Sequence, residues 1–440
     1  AATSEIRTLL FSNQVPTLAC SFANENALRM RSARADKGGA EGRETRRLLI
    51  AACALLCALW SGADRPLSAA AVAIVANAVR SEHASVRASG CRSAFVLATG
   101  SPNAAAAFAK ERSFTVILIG TMRAIATVDN EVSTVAARLD AVRALDIIVT
   151  SFVASTRAPR RPGSTSSKKA PPPRTRKKAA TAAALVVKLP AQWVKAGLTR
   201  AAVQVTSSRM LEGLVDGSRA SRDQHRVLGC GSRLIATLAG CSLEYAALLV
   251  RDGGVAAVVN SMNSCRGAAL GAAILVDGSN ALASMLAALG KSDKEESQIG
   301  TTEQSRRGPS RSQLIQMALS AVTNAMVSGS ARRLLQRTGC QAVCAICEDG
   351  GAATSAALSA MAQSKAALKL CETIVAATRN FESSRSTAQD ACKALRAIAR
   401  IGADGKRPPT AAWTAGTSPS PPTPPIIIAA LIEADAVVAL

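Results

Sequence analysis

Residues 86–119 read VRASGCRSAFVLATGSPNAAAAFAKERSFTVILI, and residues 227–260 read VLGCGSRLIATLAGCSLEYAALLVRDGGVAAVVN. Slid onto one another by 141 positions without a gap, they share Val86/Val227, Gly90/Gly231, Arg92/Arg233, Leu97/Leu238, Ala98/Ala239, Ser101/Ser242, Ala105/Ala246 and Ala106/Ala247. Abundant alanine inflates such matches. Five of the eight pairs are not alanine, however, and the polarity pattern agrees between them, so the stretch reads as a repeat unit.

The unit predicts three helices in a row. Val86, Gly90, Ala94 and Leu97 recur at three- and four-residue spacing, one face of a helix that stops near Thr99-Gly100. Ser101-Pro102 supplies an N-cap and a proline at the first helical position, where a missing N–H is harmless. A short second helix runs through Phe108 and breaks near Arg112-Ser113, where the copy has Gly253-Gly254. A third, apolar helix then begins at Phe114 or Val255.

The pattern GSRLIATLAGCSLEYAALLVRDGGVAAVV, and less plainly GCRSAFVLATGSPNAAAAFAKERSFTVIL, resembles the armadillo repeat. The resemblance covers roughly two thirds of the chain, the remaining units being degenerate. It implies an all-α fold, a right-handed α-solenoid of armadillo-like three-helix repeats whose third helices line a concave binding groove. By resemblance, Phe114, Ile117 and Thr121 in one unit and Val255, Val258 and Met262 in the other hold groove-lining positions.

Composition agrees with a helical class. Only 2% of the 440 residues are aromatic and alanine is frequent, which suits closely packed helices better than sheets. Twelve cysteines without a spacing framework point to free thiols in a reducing, intracellular compartment. Each is expected to act as a small buried hydrophobe.

The organisation follows from the same ruler. Residues 1–155 hold N-terminal repeats, starting at Ala1 on a terminus expected to be processed or incomplete, with Ile6 to Phe22 as the tail of an earlier repeat and Ala33 to Arg46 as a loop. Leu48 to Trp60, LLIAACALLCALW, is the longest apolar run; it is shorter than the roughly 20 residues a bilayer requires. Its Arg46-Arg47 and Ser61-Gly62-Ala63 flanks mimic a signal peptide, yet a shift of 38 lays Ala52-Cys53 on Gly90-Cys91 and Leu59 on Leu97, which predicts a fully buried first helix. Glu131 to Phe152 is a further helix behind Asn130, with Val132, Val135, Leu139, Val142, Leu145, Ile148 and Phe152 on one face.

Residues 156–181 form a basic, proline-rich insert. Arg157 to Lys178 holds nine Lys or Arg, five Pro and no acid: Arg157, Arg160, Arg161, Lys168, Lys169, Arg174, Arg176, Lys177 and Lys178. Residues 182–403 carry the C-terminal repeats, interrupted by a polar loop at Ser292 to Arg311, and Ala391 to Ala399 repeats Gly231 to Ala239 after 160 residues. Residues 404–425 are a second proline-rich insert, and residues 426–440 are an incomplete repeat helix, beyond which more repeats or a partner are expected.

Catalytic constellations are thin. His83 and His225 stand beside no nucleophile or ligand set; Cys340, Cys344 and Cys347 share a helix face but lack a fourth zinc ligand nearby. Gly253-Gly254 lacks the Lys-Ser/Thr of a phosphate loop. No enzyme activity, metal or cofactor is expected.

The net charge of +23 favours acidic partners, such as nucleic-acid backbone, acidic protein tails of the tubulin kind or phospholipid. One reading is a non-catalytic scaffold that holds protein partners in a large assembly; Ala-rich, degenerate armadillo proteins resemble those of cilia, flagella and other microtubule-associated structures. The other is a structural component of a ribonucleoprotein, possibly of an organelle, gripping RNA phosphates through the basic insert. One Tyr, three Trp and seven Phe offer little for base stacking. A nuclear-import adaptor is disfavoured, because Trp60, Trp193 and Trp413 do not recur at matching third-helix positions.

Overall fold

The computed structural model describes residues 40–60, 67–127, 132–157, 187–207, 219–265, 271–296, 309–348 and 351–404. Among them every regular element is a helix and no strand occurs. The chain divides into two compact units, Ala1–Thr237 and Leu238–Leu440. The division falls inside one helix. The basic stretch that composition marks as a boundary lies outside the described residues apart from Thr156 and Arg157, which end a helix. Residues 404–425 and 426–440, and Ile6 to Phe22, lie outside them too, save Asp404.

The first unit contains α1 (Ala40–Trp60), α2 (Ala69–Arg80), α3 (Ala84–Gly100), α4 (Pro102–Lys110), α5 (Arg112–Thr127), α6 (Val132–Arg157), α7 (Ala191–Lys195), α8 (Leu198–Thr206) and most of α9 (Arg219–Ala239). α1, α3 and α6 pack side by side, and α2, α5 and α8 form a second row against them. The short α4 lies against α3, α5 and α6.

In the second unit follow α10 (Leu243–Arg251), α11 (Gly254–Ser264), α12 (Gly271–Glu296), α13 (Arg311–Ser328), α14 (Arg333–Cys347), α15 (Ala352–Gln363), α16 (Ala366–Asn380) and α17 (Arg385–Asp404). The same double arrangement recurs: α12, α14 and α17 make one row, and α11, α13 and α16 the other.

The predicted punctuation is present. Ser101 Oγ accepts from Ala104 N at 3.3 Å ahead of Pro102, and Ser242 Oγ accepts from Tyr245 N at 3.2 Å at the matching place in the copy. α1 begins at Ala40, inside what composition reads as a loop, and it is not buried all round. Leu49, Cys53, Leu56, Leu59 and Trp60 face the core while Ala51, Ala54 and Ala58 are exposed, because an alanine face tolerates water. The shift of 38 holds: Cys53 and Cys91, Leu56 and Ala94, and Leu59 and Leu97 are all buried.

α15 and α16 are separated at Ser364-Lys365, where Lys365 takes the left-handed conformation at φ 58°. One other expectation changes. The polar run after Ser292 begins as helix, since α12 continues to Glu296. α12 also holds Gly271–Leu289, long and apolar enough by length and composition to cross a membrane, although half of that stretch is buried within the fold.

The ungapped alignment of the two quoted stretches fails in the third helix. In α5, Leu118, Ile119, Thr121 and Met122 are buried around exposed Gly120 and Arg123; in α11, Val258, Val259, Ser261 and Met262 are buried around exposed Asn260 and Asn263. The register there is 140, one less than before. Glu111 alone joins α4 to α5, whereas Asp252 and Gly253, the latter at φ 89°, join α10 to α11. Glycine adopts that conformation without the steric penalty a Cβ brings.

The two rows meet through glycines. A Cβ on Gly90 of α3 would lie 2.6 Å from Val79 N and 2.8 Å from Ala78 C of α2. Gly231 of α9 approaches Thr206 of α8 as tightly. In the second unit Gly278 of α12 faces Met262 at 2.7 Å and Gly339 of α14 faces Met326 at 2.5 Å. Val79, Thr206, Met262 and Met326 hold the same place in the burial pattern of their helices, so one crossing recurs four times.

Three substitutions at these positions have stability effects that the contacts and the backbone determine. Gly90→Ala forces a methyl onto backbone, overpacking that costs about 1–3 kcal/mol or more and exceeds the roughly 1 kcal/mol alanine adds to a helix; its urea midpoint should fall. Gly339→Ala meets only the flexible Met326 side chain, so its midpoint should stay level or rise. Lys365→Gly should raise the midpoint by about 1 kcal/mol of stability, the size of the left-handed penalty; calorimetry of the two chains checks it.

Candidate functional site

Between α11 and α13 runs an open groove of about 610 Å³. Left-handed Gly253 starts α11, and α13 starts on a capping box in which Gln313 N donates to Ser310 Oγ at 3.3 Å and Ser310 N donates to Gln313 Oε1 at 2.8 Å. Polar Asn263, Gln313, Gln316, Ser320 and Asn324 line it together with apolar Val259, Pro309, Met317 and Ala321. No ionisable side chain lines it. Lys369 Nζ of α16 donates to Asn324 Oδ1 at 3.3 Å and so orients that amide from outside.

Side-chain amides offer both donor and acceptor groups, the complement of a peptide main chain's own C=O and N–H. A groove lined by them and by apolar side chains suits an extended segment that packs and hydrogen-bonds along its length. No residue that lines it is a general base able to activate the Ser320 hydroxyl.

The residues expected to line a groove sit deeper. Phe114 is 0% exposed and stacks on Phe108 with ring centroids 4.4 Å apart. Thr121 is buried and its Oγ1 donates to Val79 O at 3.4 Å, tying α5 to α2. Val255, Val258 and Met262 are buried, Met262 under Gly278, and Ile117 is half-buried. Apolar side chains on these helices turn to the core, so the solvent-facing surface is made by the residues between them. On α5 those are Ser113, Gly120 and Arg123; on α11 they are Asn260 and Asn263.

Of the basic insert, Arg157 is the exposed last residue of α6; Arg160, Arg161, Lys168, Lys169, Arg174, Arg176, Lys177 and Lys178 lie outside the described residues. The amide row had a weak sequence signal, Asn260 and Asn324 falling just before the buried pairs Ser261-Met262 and Ala325-Met326. Trp193, by contrast, is fully buried in α7, and Trp60 is buried at the end of α1.

Elsewhere the reactive side chains serve packing. Burial pushes the thiols of Cys53, Cys91, Cys340 and Cys347 up to about 12, far from the thiolate a nucleophile needs. His83 Nδ1 lies 3.3 Å from Arg46 at the start of α3, and His225 is buried in α9. Among the described residues no three His, Cys, Asp or Glu side chains gather as metal ligands would.

Among the described residues the most buried carboxylate is Asp146 of α6. Arg233 Nε donates to its Oδ2 at 2.7 Å, while its Oδ1 is buried with no hydrogen-bond partner. Burial raises the carboxyl above the ordinary range despite the lowering by Arg233. Comparison of the chain with known protein families finds no match, and comparison with characterised proteins finds none.

A raised folded-state value means that the folded chain holds this proton more tightly than the unfolded one. The contribution of Asp146 to stability is therefore full below the ordinary aspartate range and is lost as pH rises through the raised value. Asp146→Asn does not titrate, so its stability relative to the native chain should increase between acid and neutral pH. Urea midpoints of both chains across that window measure the difference; a constant difference would contradict the assignment.

Proposed function

We propose that this chain is a non-catalytic, right-handed armadillo-like α-solenoid that holds protein partners in a large assembly, with the amide-lined groove between α11 and α13 receiving an extended segment of a partner. The observation that carries this reading is the groove itself, which Asn263, Gln316 and Asn324 line together with Val259 and Met317 and no charged side chain. Chemistry of that kind binds main chain without demanding a particular charge, which fits a holding role. The repeated double row of helices and the recurrent glycine crossing support a stack of like units.

The assembly in view is cytoskeletal, of the flagellar or ciliary microtubule-associated kind, and that setting comes from the sequence resemblance alone. The competing reading, a ribonucleoprotein component, would place binding on the basic insert instead.

Cross-linking mass spectrometry in nuclease-treated extract separates the two. The native chain should cross-link defined proteins through α11 and α13, and Gln316→Ala with Asn324→Ala should lower their capture about tenfold, two lost hydrogen bonds at about 0.5–1.5 kcal/mol each. Loss of every partner on nuclease treatment, or capture unchanged in the variant, would sink the reading.

A further inference from the structure

The first unit's row of α2, α5 and α8 presents a different chemistry. Arg80, Arg123 and Arg200 are exposed on it, and these three helices contain no Asp or Glu. The bond from Thr121 Oγ1 to Val79 O at 3.4 Å sets α5 against α2 immediately beside Arg123 and Arg80. Arg123 then reaches toward α8. Its Nη1 lies 3.5 Å from the point a Cβ on Gly197 would occupy, and Arg200 Cβ lies 4.0 Å from the same point. Glu111, at the far end of α5, accepts a hydrogen bond from Ser113 Oγ at 3.0 Å. Beside Arg123 on the outward side of α5 stands Gly120, where an added Cβ would meet nothing within 4 Å.

We propose that this arginine file is a docking surface for an extended acidic segment of a partner protein. Packed helices lie about 8–10 Å apart, close to three residues of an extended polyproline II chain at roughly 3.1 Å each, whose three residues per turn bring every third side chain back to the same face. An acid at every third position therefore presents a carboxylate to each helix in turn, and arginine grips a carboxylate in bidentate fashion. Nucleic acid fits the file less well. The only aromatic residue on α2, α5 and α8 is Phe114, which is buried, so no base can stack there. The partner class rests on the scaffold reading above, whereas the surface is separate from the amide groove and is assigned from its own residues.

The test uses the full chain and fluorescence anisotropy with a labelled peptide carrying Glu at every third position between Ser and Gly. Arg80→Ser, Arg123→Ser and Arg200→Ser combined should weaken binding at least about tenfold, three exposed ion pairs at roughly 0.5 kcal/mol or more each. Arg251→Ser, Arg332→Ser and Arg396→Ser remove the same charge from other exposed positions and should change affinity less than about twofold. Gly120→Trp should block the peptide while leaving the helical circular dichroism intact, and it decides the matter if the triple variant misfolds. Equal losses from both triple variants, or undiminished binding by Gly120→Trp, would overturn the proposal. So would single-stranded poly(U) RNA that binds more tightly than the peptide and is lost with the arginines. If the peptide fails here while the Gln316 and Asn324 changes still release protein partners, the arginine file alone is refuted and the scaffold reading survives.

Discussion

The close approach of one helix onto the end of the one before it, made possible by a missing Cβ, is the contact on which the other packing depends. At Gly90 the neighbour is backbone, Val79 N, and no rotamer change can make room. At Gly278 and Gly339 it is a methionine, which can bend. Helices brought this close cannot carry large side chains at the crossing, and Ala78, Ala94 and Ala98 are accordingly buried beside it. The alanine-rich, aromatic-poor composition is thus a consequence of the crossing distance. Each glycine also weakens its own helix by about 1 kcal/mol relative to alanine, an expense repaid only by the packing it permits.

Much of this was legible in the quoted stretch, because caps and breakers act locally. Ser101-Pro102 and Ser242 start helices where their chemistry says they must, and Gly253 turns the chain into α11. Gly90 and Gly231 form a matched pair in the alignment itself. Gly278 and Gly339 do not, since their surrounding residues have diverged and only the geometry relates them. The one-residue difference between Glu111 and Asp252-Gly253 was hidden for a related reason: in an alanine- and valine-rich helix, a register of 140 and one of 141 score alike.

The site was harder to read than the fold. Apolar periodicity marks the face that turns inward, so Phe114, Val255, Val258 and Met262 announced the core. The outward face is written in single polar residues, Asn263, Gln316 and Asn324 in the second unit and Arg80, Arg123 and Arg200 in the first, with a spacing along the chain that follows no fixed period. Folding brings each set together across separate helices. Composition assigned positive charge both to the basic insert and to the folded part, and in the first unit Arg80, Arg123 and Arg200 form a cationic file on helices without an acid.

The most direct measurement of the packing constraint is a double-mutant cycle at the crossing of α9 on α8. Gly231→Ala places a methyl against the Thr206 side chain, whereas Thr206→Ala removes the hydroxyl it would strike; that hydroxyl bonds only to Ala202 O of its own helix, at 2.8 Å. Urea denaturation of the four chains should show Gly231→Ala destabilised alone and largely rescued in combination, a coupling of about 1–3 kcal/mol for residues in contact. Additive effects of the two substitutions would contradict the crossing and the repeat built on it.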